Sequence, residues 1–87
     1  MRTTKTIRRV LFEMDLTAAQ LAARLGVTPS NISQKMVRDN WSVSDLAAIA
    51  AALGCGFSVS FHLPDGQTMT AEQPAPAEQS EQITPTT

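Results

Sequence analysis

The chain has 87 residues, 43% of them apolar, and a formal net charge of -1. That length supports one small domain, and no apolar run approaches the roughly 20 residues that a membrane helix needs. A single cysteine, Cys55, excludes an internal disulfide and a cage of cysteine ligands around zinc.

The chain opens on a basic stretch with Arg2 and Lys5, but no continuous apolar segment follows. A signal peptide is therefore not expected, and a reducing, cytoplasmic setting is. The first helix is predicted over 4–14, where Ile7, Val10, Leu11 and Met14 fall on one stripe. Phe12 lies roughly opposite them, beside Arg8 and Arg9, which read as a solvated face. Either a later element folds over Phe12 or a second subunit meets it.

One helix-start signal then appears three times. Thr17 precedes the segment 18–25 with Gln20 three residues on, and Leu16 and Leu21 are spaced as a hydrophobic staple. Thr28 precedes 29–38 with Pro29 in the first helical position, where its missing N–H costs nothing. Ser42 precedes 43–53 with Asp45 closing the box, and Trp41 and Leu46 form the staple. Leu21, Ala22 and Leu25, then Ile32 and Met36, then Leu46, Ile49, Ala50 and Leu53 are the expected inward faces. Gly26 and Gly54 are the stops.

After Gly54 the period changes from that of a helix to that of a strand. Phe57, Val59, Phe61 and Leu63 alternate with Ser58, Ser60 and His62, the pattern of a half-buried strand. Pro64, Asp65 and Gly66 mark a turn, and a hairpin is predicted over about 57–70. Cys55 reads as a small buried hydrophobe and His62 as a structural or solvated histidine. From 71 to 87 the chain is rich in Pro, Glu and Gln and too poor in large apolar side chains to offset its ordering entropy. It is expected to be a disordered acidic tail behind a folded unit spanning 1–70.

No catalytic residue is expected. One histidine, no converging carboxylates and no glycine-rich phosphate loop leave nothing to carry an enzyme reaction, a cofactor or a metal. The charge is more informative. All seven Lys and Arg lie between Arg2 and Arg38, against Glu13, Asp15 and Asp39, so the first half carries +4 and the rest carries -5. A locally basic half can face phosphates although the whole chain is slightly acidic.

Only Gly26, Val27 and Thr28 separate the second and third helices, and so short a link forces a sharp helix-turn-helix. Residues 21–34, LAARLGVTPSNISQ, resemble the helix-turn-helix of the phage Cro and phage-repressor family, also known as XRE-like regulators, and 46–54 resemble the helix that follows it. The likeness spans about residues 6–54. It implies a mainly α fold, a lambda-repressor-like domain of four to five helices, here with a short hairpin and a tail. It also implies a cytoplasmic DNA-binding transcriptional regulator, usually a repressor, acting as a homodimer on double-stranded DNA without a cofactor. By that resemblance the helix 29–38 enters the major groove, with base contacts at Pro29, Ser30, Ser33 and Gln34. Phosphate contacts fall on Thr17, Arg24, Thr28, Asn31, Lys35, Arg38 and Asn40. The chain departs from the family at Ala18, where Gln is frequent, and at Lys35, where an apolar residue is usual. Phe12, Phe57, Val59, Phe61 and Leu63 are the expected hairpin or dimer contacts. A second expectation is an antitoxin-like or antirepressor-like interaction module that holds a protein partner through the hairpin and the acidic tail.

Overall fold

A computed structural model describes residues 2–76. Four helices come first: α1 (Thr3–Glu13), α2 (Ala18–Leu25), α3 (Pro29–Arg38) and α4 (Val43–Ala52). An antiparallel hairpin of β1 (Phe57–His62) and β2 (Thr68–Gln73) follows. The molecule is thus mainly helical with a two-stranded appendage, as the periodicities predict.

All three expected caps form. Thr17 accepts from the Gln20 N–H while the Gln20 side chain accepts from the Thr17 N–H, and Ser42 and Asp45 make the same reciprocal pair. Thr28 accepts from the Asn31 N–H, with Pro29 at the first position of α3. Gly26 ends α2 in the left-handed region at φ 74°, where an L side chain would be strained. Each helix then buries a narrow face: Ile7 and Leu11, Leu21 and Ala22, Ile32 and Met36, and Ile49 and Ala50, joined by Leu53. Val10, Leu16, Leu25, Trp41, Leu46 and Cys55 pack around this cluster from its partly covered rim. Leu25 and Leu46, expected inside, lie on that rim.

Helix α1 differs in detail from its predicted span. It starts one residue earlier, and it ends at Glu13 because Asp15 turns left-handed at φ 57° and lets the Leu16 N–H reach the Leu11 carbonyl at 2.9 Å. Met14, predicted inward, therefore falls outside the helix and is 38% exposed, with its sulfur 4.0 Å from Cys55 Sγ.

The hairpin turns over residues 63–67, where Pro64 and Asp65 lead into Gly66 at φ 95° and the Asp65 carboxylate accepts from the Gln67 N–H. Its register pairs Phe57 with Gln73 and Phe61 with Met69. Strand β2 consequently runs through Ala71, Glu72 and Gln73, three residues past the predicted end of the hairpin, because each of them pairs with a residue of β1. Gln73 also donates its side-chain N–H to the Ala47 carbonyl at 3.0 Å, which ties the end of the hairpin to α4. The remainder of the predicted tail, from 77 onward, lies outside the described residues. Among the described residues no helix is long and apolar enough to cross a membrane.

The hairpin leans on α4 rather than on α1. Phe57 and Val59 are half-buried, whereas Phe61 is 72% exposed and its partner Met69 is 58% exposed. Phe12 is 81% exposed, so the expectation that the hairpin folds over it fails. The physical reason is length. Burial along β1 ends at Val59, and the strand runs on through Ser60, Phe61 and His62, all of them exposed.

Candidate nucleic-acid interface

The two capped helices α2 and α3 meet through three residues, and their orientation is fixed from within. Leu21 and Ile32 are the two largest fully buried side chains and hold one helix against the other. The Val27 N–H bonds to the Ala22 carbonyl at 3.0 Å, which closes the turn behind Gly26. With Ile32 and Met36 inward, the opposite side of α3 is left to solvent.

Pro29, Ser30, Ser33 and Gln34 are all exposed on that outer side. Val37 continues the stripe at the i+3 and i+4 spacing and is 85% exposed. An α-helix with a polar, uncovered face and a rigid seat has the shape a B-DNA major groove of about 12 Å accepts. Thr17, Arg24, Thr28, Asn31, Arg38 and Asn40 are at least partly exposed as well. The Thr17 and Thr28 oxygens already accept cap hydrogen bonds, but each O–H remains able to donate to a phosphate.

Lys35 is placed differently. Its ammonium lies 3.0 Å from Asp45 Oδ2, beside a surface cavity of about 150 Å³ between α2, α3 and α4. There it fills the place of the apolar residue usual in the resembling family, with its charge balanced by the first turn of α4. A pair this open to solvent is worth only about 0–1 kcal/mol, so Lys35 is restrained rather than locked. Ala18, the other departure, packs against the core rim.

A cluster at the C-terminal end of α3 was not legible in the sequence. Helix α1 has no capping side chain of its own at Arg2. Its first turn is instead capped by Asp39, 35 residues further on: Asp39 Oδ1 accepts from the Thr4 N–H at 2.8 Å and from Thr4 Oγ1 at 2.7 Å. Trp41 Nε1 donates to the same Thr4 oxygen at 2.8 Å, so Trp41 is a hydrogen-bond anchor as well as a packing residue. Asp39 itself sits left-handed at φ 50°, which a short acidic side chain tolerates.

Two carboxyls consequently titrate below the usual carboxylate range. The Thr4 hydroxyl and N–H hold Asp39 down, and the Ser42 N–H followed by the Lys35 ammonium hold Asp45 down. A depressed folded-state pKa contributes stability that is fully present above the ordinary value of about 4 and is lost as pH falls through the folded value. The thermal midpoint should therefore be level from pH 7 to about 5 and fall below about pH 4. Asp39→Asn combined with Asp45→Asn should flatten that acid limb. A double variant with the full wild-type acid limb, followed by circular dichroism, would show that neither carboxylate supplies it.

Compared with known proteins, residues 6–58 match the family model of the Cro/C1-type HTH DNA-binding domain. No curated protein and no solved structure matches the chain.

Proposed function

The chain belongs to the family of Cro/C1-type helix-turn-helix DNA-binding domains, and from that premise we propose that it is a sequence-specific transcriptional regulator, a repressor, that inserts α3 into the major groove. The observation that carries this reading is the uncovered stripe of Ser30, Ser33 and Gln34 along a helix whose other side is locked into the core. Gln34 is the principal reader, because a carboxamide can bond bidentately to adenine N6 and N7. Ser30 and Ser33 reach bases at shorter range, and Pro29 offers only apolar contact. Thr17, Arg24, Thr28, Asn31, Arg38 and Asn40 touch the backbone. The reaction is binding alone, in keeping with a family of non-enzymatic regulators.

The regulator acts as a homodimer in this reading, with the outer part of the hairpin joining two copies. Phe61 and Met69 support it: a cross-strand apolar pair left to solvent on a sheet that, among the described residues, has two strands and two unpaired edges. The same pair is what favours the second reading, in which the hairpin and the acidic tail hold a different protein.

A gel shift against the DNA flanking the chain's own gene tests the first reading. One good bidentate contact discriminates by about 1–3 kcal/mol, so Gln34→Ala should relax preference at one or two base pairs by roughly 5- to 150-fold. Equal weakening on every sequence would remove Gln34 from the readers.

A further inference from the structure

Asp39 does more than finish α3. By accepting two hydrogen bonds from Thr4, with Trp41 Nε1 donating to Thr4 as a third tie, it fastens the beginning of α1 beside the end of α3. Arg2 and Lys5 lie within two residues of Thr4, and Arg38 and Asn40 adjoin Asp39, so the tie draws these two short segments together. Arg2, Lys5, Arg38 and Asn40 all reach the surface. Three exposed cations thus lie within two residues of the Thr4–Asp39 tie. The acid among them, Asp39, has its carboxylate engaged by the first turn of α1. Glu13 stands about 14 Å away along α1 at the helical rise, and Asp45 faces Lys35.

Resting on the DNA-binding reading above, we infer that Arg2 and Lys5 extend the phosphate-binding surface of α3, and that Asp39 is the positioning residue that sets them there. The occupant is the sugar–phosphate strand that borders the groove. Arg38, in the last turn of α3, is the phosphate contact proposed above, and the Thr4–Asp39 tie sets the start of α1 beside that turn. The charge is complementary, and the surface is continuous with Arg38. Phosphate contacts carry no base information, so this extension adds affinity and orientation rather than preference.

The test uses the full chain and duplex DNA that the wild-type protein binds, titrated at several salt concentrations. Arg2→Ala/Lys5→Ala touches no hydrogen bond of the core and should leave the thermal midpoint unchanged. It should lower the slope of log K against log salt by about one for each phosphate no longer neutralised, up to about two per bound protomer. Affinity at 0.1 M salt should fall by roughly tenfold per phosphate, alike on every sequence. Arg2→Lys/Lys5→Arg should restore the slope. Asp39→Ala removes the cap of α1 and should lower the thermal midpoint, so it is read well below that midpoint, where it gives an opposite-sign check: a carboxylate that merely repelled DNA would leave tighter binding when removed, whereas a positioning carboxylate leaves weaker binding and a shallower slope. A wild-type slope in the Arg2/Lys5 variant overturns the inference while leaving α3 as the reader. A wild-type protein with no affinity for duplex DNA overturns both.

Discussion

Phe61→Asp is expected to split the regulator into monomers and to cost most of its DNA affinity. Phe61 is largely exposed in the single chain, so the substitution takes nothing from the core and the fold should persist. In the proposed dimer the ring is covered by the second copy. Replacing it with a carboxylate loses the apolar burial and leaves a charge to be desolvated, at about 2–4 kcal/mol per copy. Both copies carry the change, so the dimer constant should weaken by roughly a thousandfold or more, since each 1.4 kcal/mol is a factor of ten. Two linked readers about 34 Å apart also bind successive grooves far more tightly than one reader alone, and that gain is lost with the dimer. Sedimentation of the wild type and the variant between about 1 and 100 micromolar reads the first effect, and a gel shift reads the second. A wild-type chain that sediments as a monomer across that range and still binds as a single unit would remove the dimer. A variant that dimerises unchanged would place the interface elsewhere, with Phe12 the next exposed aromatic to replace.

Binding should also collapse with salt. Four to six neutralised phosphates per dimer give a slope of log K on log salt of roughly -4 to -5. Raising salt from about 50 to 200 mM should therefore weaken binding by several hundredfold. Arg38, at the end of α3 and in no ion pair among the described residues, should contribute more of that slope than Lys35, which must first give up Asp45. Arg38→Ala should thus flatten the slope more than Lys35→Ala, as read by fluorescence anisotropy on labelled duplex. A slope near zero in the wild type would take the protein out of DNA binding, and the hairpin's exposed apolar pair would then point to a protein partner.

Much of the architecture was legible because its signals are local. Thr17, Thr28 and Ser42 bond to backbone N–H groups three residues away, so the sequence itself contains both partners of each cap. The three-residue link at Gly26 likewise states its own left-handed turn, and the helical period states which side of α3 faces inward. The exposed face of α3 follows from those facts without any tertiary information. The family likeness of residues 6–54, which the family model carries on to residue 58, rests on the same local pattern.

What the sequence could not state was every relation between residues far apart in the chain. The cap of α1 is Asp39, and no periodicity links position 4 to position 39. Lys35 reads as one more cation on a basic helix until α4 folds beside it and supplies Asp45. The strand alternation of Phe57, Val59 and Phe61 predicts a buried face, but alternation cannot say how far the covering helix extends. Burial stops partway along β1 because the hairpin projects beyond α4, and so Phe61 and Met69 are left exposed. Local hydrogen bonding and periodicity were set by neighbours in the chain. The remote cap, the pairing of Lys35 and the uncovered end of the hairpin were set by packing, which alone decides which distant groups meet.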